Sequence, residues 1–576
     1  MIFKPQFSSV GVLPEYPRPQ KKRNSYISLN GEWDYAFSNS DAFVSSFDGK
    51  ITVPYSPESK LSGVNRQLAK NEFLHLRKTF SLPSGFNKGR ILFNVGACDQ
   101  TCKVYFNGKF LHENYDGYTS FTVELKNPLD NENEIYLVVT DDADSDVYGR
   151  GKQRYKRGGI WYTAISGIWQ TCFLESVPEN YIKDFKYDID YDQKTLTVSC
   201  DIVGDKVAEV TVYDGQNIVD SGKTADGKVI LNVAACKSWS LDNPELYPVE
   251  IKTDKDTIES YFGLRKFSKI RINGKYYFAI NNEPVFLNGL LDQGYFGEGI
   301  YTPKSNEDLF NEVATLKAAG FNMLRKHIKV ESALWYYYCD ILGVAVFQDM
   351  INGGGEYSTL RINLGPFIDL RLNDKDYKSM KRGNIESRKQ YLYEANRLID
   401  QLYNVPSLFL WTPFNEGWGQ FDAYDNWKLL SKKDASRLFD RASGWQDKGG
   451  GDVNSKHVYF KKVKPKNDYK RVLAVTEFGG YSYELSEKQG KKFGYKAFKS
   501  VDKFKKAYEK LYLSEIIPSI INDGLSSCCY TQVSDVEDEI NGLFTSDRIL
   551  KFGVDFLKNI NDKVFAAFYQ SLGIEK

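Results

Sequence analysis

The chain is poor in cysteine and histidine and has no surplus of either charge. Its 576 residues hold eight cysteines, too sparse for a disulfide framework, and none forms a CxxC pair. Cys98 and Cys102, and the adjacent Cys528 and Cys529 in their apolar run, are expected as reduced, buried thiols. The four histidines, His75, His112, His327 and His457, never pair at helical spacing, which argues against a histidine-built zinc site. Lys+Arg 76 against Asp+Glu 75 leaves a net charge of +1, so no global field exists to hold nucleic acid or an anionic membrane. No apolar run approaches the ~18 residues of a membrane span. A GxxxxGK[ST] loop and a strand-linked GxGxxG are both missing, which removes support for nucleotide chemistry. Lys4 and Pro5 stand where a secretory signal needs an apolar core, so a cytoplasmic location is the expectation.

What the chain does have is length and aromatic rings. At about 150 residues per domain it should hold roughly four domains, or two to three if one is a large barrel. Hydrophobic content of 42% suffices for several cores. Aromatic content of 15%, with Tyr 39 and Phe 37, fits either large cores or a surface that stacks on apolar ligand faces. Composition does not choose between them.

Patterning divides the chain into three parts. Over residues 1–178, short apolar or alternating runs such as 89–97, 101–108, 120–125 and 133–142 are punctuated by Asn107-Gly108 and Asp116-Gly117. This is the pattern of a jelly-roll β-sandwich with tight hairpins. Residues 179–266 carry a second strand series of five or more runs, which fits an immunoglobulin-like sandwich closing near Phe262-Gly263-Leu264. From 267 to 576 strands alternate with helices. Ser305 and Asp308 make a capping box, Leu309, Val313 and Leu316 line one helix face, and Gly320 ends it. Eight strand runs, at 284–293, 321–327, 343–350, 407–416, 442–447, 456–460, 471–480 and 525–532, predict a (β/α)8 TIM barrel. The fold class is therefore multidomain β and α/β.

Chemistry on such a barrel belongs at the C-terminal strand ends. Two runs end in a carboxylate: Trp411-Thr412-Pro413-Phe414-Asn415-Glu416 and Val475-Thr476-Glu477-Phe478-Gly479. As ends of the fourth and seventh strands they can face each other across the mouth, flanked by Trp411, Trp418 and Tyr481. Two carboxyl groups about 5–5.5 Å apart are what retaining glycoside hydrolysis requires. Taken singly, each glutamate could as well cap a strand or pair with an arginine. Trp445, Tyr459 and Tyr530 also follow strand ends and could form an aromatic floor for the apolar face of a sugar, or simply pack the barrel top.

These residues resemble glycoside hydrolase family two, the β-galactosidase, β-glucuronidase and β-mannosidase group, over nearly the whole chain and in its compact three-domain form. Leu29-Asn30-Gly31-Glu32-Trp33 and Ser166-Gly167-Ile168-Trp169-Gln170 resemble the opening and closing motifs of that family's sugar-binding jelly roll. Pro244-Glu245-Leu246-Tyr247 with Gly263-Leu264-Arg265 is similar to the end of its sandwich domain. Asn415-Glu416 matches the family's acid/base pair, and Glu477 matches its nucleophile.

The resemblance implies a retaining exo-β-glycosidase in which Glu477 attacks the anomeric carbon, Glu416 is acid then base, Asn415 binds the 2-hydroxyl and Tyr459 touches the nucleophile. Terminal β-D-galactosides are the first substrate expectation and β-D-glucuronides the second. For a glucuronide, Lys491-Lys492 could supply the cation, or could be a solvated loop. A non-catalytic carbohydrate-binding protein is the alternative of another class, and the retention of both glutamates argues against it. Departures from the family pattern fall on sugar recognition. Asp292 and Gln293 stand where the large β-galactosidases have a histidine-containing motif, and His327 follows Arg325 one position early, a shift that reverses facing in a strand. Arg325 and His327 remain substrate-binding candidates. No cofactor is required, although Mg2+ or Na+ held by the run Asp535, Glu537, Asp538 and Glu539 would follow the large family members. A carbohydrate substrate is the expected partner, with self-association into a homo-oligomer compatible with the family; nucleic acid and membrane are not expected.

Overall fold

Period-two alternation shapes the N-terminal third. The computed structural model describes residues 5–129, 131–357, 372–485 and 492–575. Two antiparallel sheets face each other there. One orders the strands Tyr26–Ser28, Gly167–Val177, Arg90–Asp99 and Phe121–Leu125. The other runs from Gly49–Val53 through Gly31–Ser38, Phe73–Phe80, Asn133–Thr140 and Thr101–Phe106 to Lys109–Asn114. Trp33, Phe93, Val104 and Leu137 interlock between them, because every second side chain of each strand points to the same side. Asn107 (φ 47°) and Gly108 (φ 76°) make the tight hairpin that their sequence predicts. Asp116-Gly117 does not: the strands on either side belong to different sheets, and Asp116 instead accepts from the amides of Tyr118 and Thr119 at 2.9 and 3.1 Å.

A second sandwich follows, with a sheet of Tyr181–Asp190, Thr195–Val203 and Lys228–Asn232 against one of Asn217–Lys223, Glu209–Asp214, Tyr247–Lys252 and Thr257–Phe262. The edge strand Asn217–Lys223 has no buried residue, so no apolar alternation announces it in the sequence.

The C-terminal part is a nearly closed barrel. Its strands are β1 (Leu287–Asp292), β2 (Met323–Lys326), β3 (Ala345–Asp349), β4 (Leu408–Thr412), β5 (Leu438–Phe439), β6 (Val453–Val458), β7 (Val472–Gly479) and β8 (Leu525–Thr531). All run parallel, paired in the order β6-β7-β8-β1-β2-β3-β4-β5. The gap from β5 to β6 is bridged by Asp452 N donating to the Phe439 carbonyl at 2.8 Å. Leu287, Leu291, Met323, Phe347, Phe409 and Cys529 fill the interior, while Leu290, Leu324, Val346, Val475 and Tyr530 face the helix layer. The fifth strand lies a few residues earlier than the expected 442–447 run. That run forms the turn after it, joined to the end of β4 through an Asn415–Ser443 bridge. The N-cap half of the predicted capping box is present, with Ser305 Oγ accepting from Asp308 N at 3.0 Å at the start of α1 (Asn306–Ala318).

Candidate active site

β7 delivers Glu477 through a β-bulge. Val475 and Phe478 both pack outward, yet Thr476 and Glu477 both turn inward, because pairing with β6 and β8 skips a residue there. Strict alternation from Val475 would have pointed Glu477 at the helices. Its carboxylate is held by two donors: Arg325 Nη1 reaches Oε1 at 3.0 Å, and the Tyr459 hydroxyl donates to Oε2. Tyr459 also contacts Thr531 Oγ1 at 3.0 Å and stacks on Tyr495, with ring centroids 3.9 Å apart.

Glu416 follows the end of β4 with a left-handed backbone (φ 53°), a costly conformation for a non-glycine residue. Its amide donates to the Ser443 carbonyl at 2.9 Å, and Trp418 N closes onto the Asn415 carbonyl at 2.9 Å. Burial pushes its pKa up to about 7, with Lys152 and Arg325 opposing the rise and Glu539 adding to it. Asn415 is oriented by charge: Arg325 Nη2 can only donate, so Oδ1 faces it at 2.9 Å. The Asn415 amide nitrogen is left buried without a partner among the described residues, free to meet a ligand hydroxyl.

A third member, unforeseen from sequence, sits between the glutamates. His457 Nδ1 lies 2.8 Å from Glu416 Oε1 and 3.5 Å from Glu477 Oε2. Its Nε2 faces Ser443 Oγ at 2.6 Å and Arg325 Nη1 at 3.4 Å. Since the guanidinium only donates, Nε2 carries the lone pair and Nδ1–H donates to Glu416. Burial lowers the His457 pKa to about 4, so the ring is neutral near pH 7. One ligand atom each from Glu416, His457 and Glu477 lies within 4.8 Å of the others. That spacing suits two-carboxylate chemistry, and the same triangle could bind a divalent ion.

Arg325 ties the floor together, its charge reinforced because Asp349 and Glu477 outweigh the cost of burial. Its Nε donates to Asp349 Oδ1 at 3.0 Å, and Asp349 Oδ2 accepts from His327 Nδ1 at 2.7 Å. His327 therefore shares the inward face with Arg325. Lys326 between them points outward, over the Trp335 ring at 4.1 Å.

Other expected site residues lie elsewhere. Asp292 is on the outward face of β1, 2.7 Å from Lys326 Nζ in a buried network with Glu331 and Lys329, so it supports the barrel wall and not a sugar. Tyr530 is fully buried against Phe478 and Tyr508 on the helix side, because Cys529 and not Tyr530 takes the inward position on β8. Gln293 stays near the mouth, its amide on Gln532 Oε1 at 2.8 Å. Trp445 is half-buried at the rim, edge-on to His457 with centroids 5.4 Å apart. Lys492 is 44% exposed and paired with Glu484, and Lys491 lies outside the described residues. The acidic run disperses: Asp535 meets Lys551 at 2.7 Å, Glu537 meets Arg157 at 3.1 Å, and Glu539 accepts from Tyr162 and Asn541.

Fold and site together define a class: a barrel protein behind two β-sandwiches, with paired glutamates at the ends of β4 and β7. Models of glycosyl hydrolases family 2 match residues 180–265 and, for its TIM barrel domain, residues 270–474, together just over half of the chain. The chain belongs to this family. It is 21% identical over 470 residues to a β-galactosidase of Priestia megaterium, covering 72% of this chain and 43% of that one. The chain spans about half the length of the curated relatives it matches. Its fold is similar to a β-D-glucuronidase of Dictyoglomus thermophilum (TM-score 0.74, 18% identity, 95% and 98% of the two chains). It also resembles a β-galacturonidase of Eisenbergiella tayi bound to galacturonate (TM-score 0.70, 15% identity, 96% and 99%). Among the described residues no helix is long and apolar enough to cross a membrane.

Proposed function

We propose that the chain is a retaining β-glycosidase acting on terminal β-D-glycosides. One observation carries this reading: the carboxyl oxygens of Glu416 and Glu477 approach within 4.8 Å across the barrel mouth, with His457 between them. The protonated Glu416 gives its proton to the glycosidic oxygen as Glu477 bonds to the anomeric carbon, and the leaving group departs as an alcohol. Glu416, now a carboxylate, takes a proton from water, whose oxygen bonds to the anomeric carbon as Glu477 is released. Asn415 donates to the 2-hydroxyl, a contact that tightens as positive charge develops on the ring.

Two sugars are supported by different observations. The β-galactosidase relatives and the motif resemblance favour a β-D-galactoside; Lys152, which has no ion-pair partner among the described residues, favours a β-D-uronide. The reaction class is tested by substitution. Glu477→Gln should lower kcat by about 10⁴-fold or more, and azide should rescue Glu416→Ala on an activated aryl β-glycoside, giving the β-azide. An α-azide, or a fully active Glu477→Gln variant, rejects the mechanism.

A further inference from the structure

Lys152 is the part of the site that two-glutamate chemistry leaves unexplained. It comes from the N-terminal sandwich, in the connection between strands Asn133–Thr140 and Gly167–Val177, and is only 7% exposed. Neighbouring buried cations have ion-pair or hydrogen-bond partners. Arg325 pairs with Asp349 and Glu477, Lys326 with Asp292 and Glu331, Lys329 with Glu331, and Arg150 and Arg382 donate to backbone carbonyls. Lys152 Nζ has neither an ion-pair nor a hydrogen-bond partner among the described residues. It lies instead 5.7 Å from the ring centroids of both Tyr162 and Trp418, the latter two residues past Glu416. Its charge reaches into the site, lowering the pKa of both Glu416 and His327 against and alongside their burial respectively.

The ammonium is mounted rigidly. Gly149 bridges to Gly353, and the amides of Arg150 and Gly151 both donate to the Asn352 carbonyl, at 2.8 and 3.1 Å, just beyond the end of β3. Gly151 has φ +61°, and a Cβ there would stand 2.7 Å from the Ile328 carbonyl beyond β2, so the backbone presses directly onto the barrel rim. Lys152 is mostly buried, and its ammonium has no counter-ion among the described residues, so an anion brought by a ligand would find an unpaired charge to bind. Lys492, the other cation considered for this role, is already spent on Glu484.

We propose that Lys152 binds a carboxylate of the substrate, which makes the preferred glycoside a β-D-uronide and not a neutral hexoside. This rests on the glycosidase reading above and names its substrate class. The carboxylate belongs either to the terminal ring or to the departing group, and the assay separates the two. Wild-type full-length chain, Lys152→Met and Lys152→Arg are compared on 4-nitrophenyl β-D-glucuronide, β-D-galacturonide, β-D-galactoside and β-D-glucoside, and on 4-carboxyphenyl β-D-galactoside. The readout is the ratio of kcat/KM for acidic over neutral substrates, which is insensitive to the fraction of each preparation that is folded.

The wild type should prefer a uronide. Lys152→Met should lower the acidic-to-neutral ratio on the order of 10²-fold, the size of a lost charge-assisted bond, while Lys152→Arg should hold it within about 10-fold. The same loss confined to the carboxyphenyl galactoside would keep Lys152 as a carboxylate-binding residue but overturn the uronide assignment, putting the carboxylate on the departing group. A ratio unmoved by Lys152→Met, with neutral galactosides turned over and Glu477→Gln inactive, overturns the role of Lys152 and leaves the glycosidase reading standing. If no aryl glycoside is cleaved, the glycosidase reading fails, and calorimetry with glucuronate and galacturonate decides Lys152. Binding that Lys152→Met abolishes supports it; absence of binding overturns it.

Discussion

At the residue scale, the proposed mechanism puts proton transfer on Glu416 and a supporting hydrogen bond on His457. In the proposed mechanism Glu416 must be protonated to open the glycosidic bond, and burial pushes its pKa up to about 7. For an acid that acts protonated, kcat/KM falls as pH rises through that value, so the alkaline limb should bend near pH 7 and drop about tenfold per unit beyond it. The Nδ1–H of His457 favours the carboxylate form of Glu416. Its removal in His457→Ala should move the alkaline limb to higher pH and lower kcat by about 10-fold, because the deprotonated Glu416 needed for the second step becomes harder to form. An unmoved limb would mean that His457 only packs. The Glu416–His457–Glu477 triangle also suits Zn2+, which takes histidine nitrogen and carboxylate oxygen. Micromolar Zn2+ should inhibit competitively and chelation should reverse it, whereas chelator alone should leave turnover within about twofold. If EDTA abolished activity and Mg2+ restored it, the expectation that no metal is required would be wrong.

Individual elements explain why some site residues were legible in the sequence and others were not. Strand ends marked by Asn415-Glu416 and Thr476-Glu477 named the two carboxylates, and Arg325, His327 and Tyr459 followed from the motif order. His457 was open to the same logic, since it lies two residues before Tyr459 and so shares its face. Asp349 too ends a strand in a carboxylate. Asp292 and Tyr530 could not be placed that way, because facing depends on where alternation begins in each strand and whether a bulge interrupts it. The segment 149–152 is the element on which the site most depends from outside the barrel. Gly151→Ala would force a side chain into a left-handed backbone and against the Ile328 carbonyl 2.7 Å away. The strain is worth about 1–2 kcal/mol before the clash is counted. Displacement of Lys152 should lower kcat/KM at least about tenfold with only a few degrees lost in Tm, measured by kinetics and thermal unfolding on one preparation.

At the scale of the whole molecule, the sandwiches are part of the barrel's structure. Trp239 Nε1 donates to the Asp340 carbonyl at 2.9 Å and Tyr261 donates to its carboxylate at 2.8 Å, both across to α2 (Ala333–Leu342). Arg265 Nε reaches the Pro406 carbonyl at 3.1 Å, just before β4. Gln170 of the first sandwich reaches the Val330 carbonyl at 3.2 Å beyond β2. A chain beginning at residue 267 would expose these buried polar groups and lose Lys152 altogether. Expressed alone, it should show less than about 1% of full-length turnover and a strong tendency to aggregate, assayed by hydrolysis and size-exclusion chromatography.

The sequence by itself determined the three-part architecture, seven of the eight barrel strands and the pair of glutamates at strand ends. Those rest on local signals, namely side-chain period, turn residues and short motifs at strand ends. Tertiary structure alone decided which residues surround the pair. The bulge at Thr476-Glu477 turned the nucleophile candidate inward, the outward facing of β1 and β8 withdrew Asp292 and Tyr530, and a loop from a different domain brought in Lys152. Each depends on registration between segments far apart in the chain, and no local pattern encodes the distance between two such segments.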